Sequence, residues 1–265
     1  VFAYWMSYFA PCFGTISRIL GRKVRKIGLI HNMISHEANL MDKLLPSYFV
    51  KTLDGMVALC DKVLKDIRLY DDSKPVTVCP HPLYDHFGKK ESREEAAAAL
   101  GLDPSGEYAL FFGLIRDYKG LDWLLEAFTD EKLKDKNLIV AGEFYGDGRK
   151  YYDLVESLGI ADRVVWFAEF IPDDAVRHFF SLADLVALPY RSATQSGVTQ
   201  IAYHFELPML VTDVGALRDV VPDHEAGYCV HPDPESICSA LVEFFTEKPD
   251  FSEGIKAGKS RYSWS

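Results

Sequence analysis

The chain has 265 residues, 48% apolar and 26% charged, with a formal net charge of −10. These values describe a globular protein with room for two modest cores and exclude a disordered or collagen-like chain. The acidic balance also argues against nucleic acid as a partner, because phosphate backbones are met by a basic face.

Taken from the start, VFAYWMSYFAPCFGTISRIL is apolar and aromatic. Pro11, Gly14, Ser17 and Arg18 interrupt it before it reaches a membrane-crossing length, and no basic leader precedes it. The expectation is buried core of an incomplete domain, with sequence missing upstream. The next stretch, SRILGRKVRK, sets Arg18, Arg22, Lys23, Arg25 and Lys26 beside Phe13, Ile16 and Leu20. On a helix this reads as a core-facing element with a solvated basic edge, or as a peripheral membrane contact on an anionic bilayer.

VRKIGLI, GMVAL and VTVC read as strands, with helices over 42–53 and 61–70 between them. PHPLYDHFG then punctuates the chain as a linker. A helix in SREEAAAALG, stopped by Gly101, opens a longer α/β series. Six further strand candidates follow: YALFF, NLIVAG, RVVWF, DLVALP, PMLVT and GYCV. Most are separated by about three helical turns, the spacing of parallel crossovers. Pro172 and the acids after it mark one helix start. The expected organisation is a partial Rossmann-like domain over 1–80, a linker over 81–90 and a doubly wound Rossmann-like domain over 91–265. Cys12, Cys60, Cys79, Cys229 and Cys238 are odd in number and form no CxxC pair, which fits free thiols and a cytoplasmic location.

Ligands of such sheets sit beyond the carboxyl ends of the strands, so two loops stand out. In FFGLIRDYKGLDWLLEAF, Gly113 is followed by Arg116 and Lys119 just before a helix. An arginine fork and a lysine point charge at that edge can grip a diphosphate; read alone, the pair is a solvated turn. In PYRSATQSGV, hydroxyls and backbone N–H groups gather at a helix start, which is an anion cradle or simple capping by Ser192, Thr194 or Ser196.

LFFGLIRDYKGLDWLLEAF, LIVAGEFYGDG, RVVWFAEFIPDDAVRHFFSLADLVALPY, SGVTQIAYHFELPMLVTDVGALRDVV and AGYCVHPDPESICSAL occur in that order. Together they resemble the donor-binding C-terminal domain of a family-four retaining glycosyltransferase of the GT-B fold, over most of 105–245. Upstream, IGLIHNMISHE and PHPLYDHFG resemble the end of that family's acceptor-side domain and its interdomain linker. The resemblance implies a GT-B α/β architecture and metal-independent transfer of a sugar from a nucleotide diphosphate donor to a glycan or lipid-linked acceptor, with retained configuration and no cofactor. It implies donor contacts from Gly113, Arg116, Lys119, Glu143, the backbone at Phe170 and Ile171, and Thr194, Gln195, Ser196, Gly197 and Val198. His31, at a strand end, matches a family position near the donor sugar; as a lone histidine it reads as structural, and Glu143 alone reads as a solvated loop acid. HNMISHE, with His36 and Glu37, lacks the spacing of a zinc helix, so no metal is expected.

Two departures from the family pattern matter. Its arginine directly follows the first glycine, where Leu114 stands here, so Arg116 is a substitute. Its paired acids fall at Ala193 and Ile201, neither of which can accept a hydrogen bond through its side chain. A small residue at 197 is then expected so that a phosphate can reach the helix start, and Glu206 is a helix-end surface acid. The missing acids leave a rival, a catalytically silent nucleotide-binding or scaffold module. A GT-B epimerase or phosphorylase would need acids or a cofactor lysine that are not found.

Overall fold

The computed structural model describes residues 1–4, 7–21, 23–33 and 40–264, and side chains from Leu45 onward in the helix that begins at Leu40. Arg22, His36 and Glu37 lie outside the described residues. The chain forms two compact units, Val1–His81 and Pro82–Ser265.

The first unit runs β1 (Phe2–Tyr4), α1 (Ala10–Ile19), β2 (Ile27–Ile30), α2 (Leu40–Val50), β3 (Gly55–Ala58), α3 (Asp61–Arg68) and β4 (Val76–Val78). Its four strands are parallel in the order β1-β2-β3-β4. Tyr4, Ile30, Phe49, Val63 and Ile67 are fully buried between sheet and helices, and the Tyr4 and Phe49 rings stack at 5.0 Å. The opening segment is only partly the buried core expected of it. Ala10, Gly14 and Ser17 face inward, whereas Ile16, Ile19 and Leu20 are exposed and the Arg18 guanidinium lies 4.1 Å from the Tyr48 ring centre.

The second unit begins with α4 (Arg93–Leu100), β5 (Tyr108–Phe112), α5 (Leu121–Ala127), β6 (Asn137–Ala141) and α6 (Arg149–Leu158). It continues with β7 (Val164–Phe167), α7 (Asp173–Leu182), β8 (Leu185–Leu188), α8 (Gly197–Phe205) and β9 (Met209–Thr212). The last elements are α9 (Leu217–Val220), β10 (Gly227–Val230), α10 (Pro234–Glu247) and α11 (Ser252–Arg261). All six expected strands form, in a parallel sheet ordered β10-β9-β8-β5-β6-β7. Leu110, Ile139, Val140, Leu185 and Val186 are fully buried, as strands covered on both faces require. Local chemistry agrees with this topology. Ser92 and Glu95 close a capping box on α4, and Gly101 ends it in the left-handed conformation.

The chain leaves β5 for β6 and β7 on one side, then returns to the other side with β8. The crevice between the ends of β5 and β8 is therefore the topological switch point, where open α/β sheets bind ligands. The stretch expected as a linker is docked on the second unit. Leu83 N–H donates to the Tyr262 carbonyl at 2.9 Å, the Trp264 indole donates to the Leu83 carbonyl at 3.0 Å, and Glu91 pairs with Arg177 and His178 of α7. Gly88 is tied through its carbonyl to His204 near the end of α8, at 2.6 Å.

Candidate anion site at the ends of β5 and β8

After β5 the chain turns at Gly113 and makes a short 3-10 turn, Asp117–Lys119, before α5. Gly120 joins turn to helix at φ +67°, and a β-carbon there would stand 2.0 Å from the Pro189 carbonyl oxygen. Only glycine lets the turn lie this close to the end of β8. The close fit folds Lys119 inward, where it is 9% exposed. Its Nζ lies 5.6 Å from the Tyr190 ring centre and 3.3 Å from the point a β-carbon on Gly113 would occupy. Among the described residues this ammonium has no carboxylate within ion-pair distance. Burial, and secondarily the Arg116 charge, push its pKa down to about 8. A buried cation without an anion is costly, and a bound anion would relieve that cost.

The turn is braced from behind by Arg191, which sequence reasoning passed over. Its N–H donates to the Tyr118 carbonyl at 2.7 Å, and its Nη1 donates to the Asp117 carbonyl at 2.8 Å. Its two Nη atoms fork onto Asp122 at 2.8 and 2.5 Å, and the guanidinium lies over the Trp123 ring. A single residue after β8 thus fixes the position of the loop after β5.

The second wall is the start of α8. Ser196 is its N-cap residue, yet the serine side chain makes no capping bond and its Oγ is 3.2 Å from the Tyr190 hydroxyl. Backbone N–H groups at this helix start therefore point outward without a side-chain cap, and the positive end of the helix dipole faces the same space. Val198 Cγ2 is 3.9 Å from the Gly113 β-carbon position that Lys119 Nζ also approaches. Ammonium and helix start are within one ligand's reach.

Gly197 has a neighbour that the sequence did not name. A β-carbon on it would meet the Tyr84 ring, 2.8 Å from Cε2 and 3.2 Å from the hydroxyl oxygen. Its smallness makes room for an aromatic ring from the docked 82–88 stretch. Tyr84 was hidden in the sequence because an aromatic residue between proline and aspartate looks like loop packing. The signal that could have found it is a glycine opening a helix where backbone conformation does not demand one.

The other expected residues fall in three groups. Thr194 is buried, its carbonyl accepting from Ala216 N–H at 3.0 Å, and Gln195 is half-buried beside it. Arg116 sits near Lys119 but is half-exposed, with its guanidinium over the Tyr145 ring at 3.9 Å. Glu143 is exposed at the end of β6, its carbonyl accepting from Ile115 N–H at 2.7 Å. Phe170 is 67% exposed and Ile171 half-buried, in the loop after the outermost strand β7. His31 belongs to the first unit, where its N–H donates to the Tyr4 carbonyl. Burial and the nearby His81 push the His31 pKa down, which leaves a neutral imidazole at neutral pH. Ala193 and Ile201, where acids were missed, are each 5% exposed and part of the core. Glu206 caps α8 from outside the site and pairs with Lys259 at 2.8 Å. The five cysteines are free thiols. The described residues contain no group of three metal-ligating side chains. No helix among them is long and apolar enough to cross a membrane.

Residues 106–247, which include this switch point, match the family Glycosyl transferases group 1. The chain belongs to that family. It is 32% identical over 179 residues to D-inositol 3-phosphate glycosyltransferase of Mycolicibacterium gilvum, covering 65% of this chain and 40% of that protein. It is 26% identical over 233 residues to the lipopolysaccharide core biosynthesis mannosyltransferase LpsB of Rhizobium meliloti, covering 82% of this chain and 62% of that protein. The chain thus spans 40% and 62% of the length of these two bacterial relatives. Among solved structures, Anabaena HepE in complex with UDP-glucose superposes with a TM-score of 0.82 at 13% identity, over 98% of this chain and 74% of that one. The α/β fold of parallel sheets is that of the GT-B glycosyltransferases, as expected.

Proposed function

We propose that this chain carries the donor site of a glycosyltransferase that moves a sugar from a nucleoside diphosphate to an acceptor with retention of configuration, using neither a metal nor a cofactor. The observation that carries the reading is the buried Lys119 ammonium, unpaired among the described residues, facing the same space as the uncapped start of α8. Charge that grows on a departing diphosphate needs such fixed donors, and they cost no reorganisation when the bond breaks. Arg116 supplies a second, more exposed cation. Gly113, Thr194, Gln195, Ser196, Gly197 and Val198 frame the phosphates. Glu143 and the backbone at Phe170 and Ile171 are assigned to the sugar and base, and His31 to the transfer step.

The LpsB name and HepE's UDP-glucose complex support a nucleotide-sugar donor and a glycan or lipid-linked acceptor. Exposed Ile16, Ile19 and Leu20 next to Arg18 and Lys23 suit a peripheral contact with an anionic membrane on the cytoplasmic side. The buried, apolar Ala193 and Ile201 favour one second reading, a nucleotide-binding module without catalysis.

Calorimetric titration with UDP, GDP and ADP in the presence of EDTA tests the donor site. One of the three is expected to bind, and binding of none would contradict the proposal. A transfer assay with the nucleotide sugar of the base that binds, with the product anomer read by proton NMR, separates enzyme from silent module.

A further inference from the structure

The 82–88 stretch lies along α8: Tyr84 stands at Gly197, its first residue, and Gly88 is bonded to His204, near its last. The Tyr84 ring meets Phe87 edge-on at 6.2 Å and His86 at 5.7 Å, which holds it over the first turn of the helix. Its hydroxyl oxygen is 3.2 Å from the β-carbon position of Gly197, at the end of the helix where backbone N–H groups emerge. We propose that Tyr84 is a donor-site residue whose hydroxyl donates a hydrogen bond to the diphosphate held at the start of α8. This rests on the reading of the site given above.

Three features support the assignment. The half-buried phenol has its pKa raised by burial, so near neutral pH it is an O–H donor and adds no negative charge against a phosphate. The side chains of Ala193 and Ile201 offer the ligand no hydrogen bond, and both are buried in the core. Tyr84 provides a polar group at the helix start from a different segment of the chain. Finally, the three nearest heavy atoms to a β-carbon on Gly197 all belong to Tyr84. A side chain at 197 would push the ring from the helix start.

The test is calorimetric titration of the whole chain with UDP, pyrophosphate and UMP, comparing the parent with Tyr84→Phe, Tyr84→Ala and Lys119→Ala. Tyr84→Phe keeps the ring and loses only the hydroxyl. It is expected to bind UDP and pyrophosphate about tenfold more weakly, with UMP less affected and the thermal midpoint moved by no more than a few degrees. Tyr84→Ala is expected to lose at least as much. If Tyr84→Phe binds like the parent, or Tyr84→Ala binds more tightly, the ring merely covers the helix start and the proposal is overturned. Lys119→Ala separates the two levels. A loss there with Tyr84→Phe unaffected would sink the tyrosine alone, whereas no loss in either variant, or no binding by the parent, would sink the site as well.

Discussion

The two loops that meet at the switch point would hold an anion by opposite means. The turn after β5 contributes a full charge, Lys119, buried and braced by Arg191 from the neighbouring loop. The loop after β8 contributes no charged side chain at the helix start, only the uncapped amides of α8 with Tyr84 laid against them. Their energetics differ accordingly. A desolvated ammonium burdens the empty protein, while a helix start facing polar space costs little until an anion arrives. In the first loop, binding and stability oppose each other; in the second they are nearly independent.

That contrast breaks most visibly at Lys119. Lys119→Met is expected to weaken UDP binding by roughly 1.5 to 3 kcal/mol, the range for hydrogen bonds to charged groups. The same change should raise unfolding stability by about 1 kcal/mol, because an unpaired buried charge is replaced by an apolar chain. Parallel calorimetry and urea unfolding measure both signs, and a stability loss would contradict the burial cost.

At Gly197 the expectation is different. A β-carbon 2.8 Å from a ring carbon forces Tyr84 to shift. Gly197→Val should therefore lower UDP affinity by about 1 to 2 kcal/mol without the stabilisation expected at Lys119. Unchanged affinity would separate the helix start from the ligand.

The pH dependence sharpens the contrast further. The Lys119 pKa is lowered, so the folded chain holds fewer protons than the unfolded chain between about 8 and the ordinary lysine value of 10.5. The burial cost is present in full below about 8 and fades as pH rises through that window, so this group's contribution to stability grows there. Diphosphate affinity moves the other way, falling above about 8 as the ammonium loses its proton. Titrations at several pH values should show that fall in the parent and a flatter profile in Lys119→Met.

The smallest effects mark the edges of the site. Arg116→Ala should cost UDP binding about 1 kcal/mol, less than Lys119, because its guanidinium is half-exposed and already stacked on Tyr145. Glu206→Gln should leave binding unchanged and stability within about 0.5 kcal/mol, since its pair with Lys259 is largely exposed.

The six strands of the second unit were legible because each is a short apolar run bounded by turn residues, and the helices between carry ordinary caps. Lys119 was legible as a cation at a strand edge, but its burial was not. That depends on Gly120 fitting against the Pro189 carbonyl, a contact between residues distant in sequence. Arg191 and Tyr84 were missed for the same reason: their partners lie in segments distant in sequence. Gly197 was singled out without Tyr84 as its neighbour, since a local pattern records that space is needed without naming all that fills it. In the first unit, the opening run reads as buried core, yet its helix leaves Ile16, Ile19 and Leu20 exposed, because these resemble core residues in composition alone.

The most direct measurement is the titration of Lys119 itself, by NMR of its Nζ in lysine-labelled protein with and without UDP, assigned by comparison with Lys119→Met. A buried ammonium awaiting an anion predicts a pKa near 8 in the free chain and an upward move of at least one unit when the diphosphate binds. A pKa near 10.5 that UDP leaves unmoved would contradict the anion site at its centre.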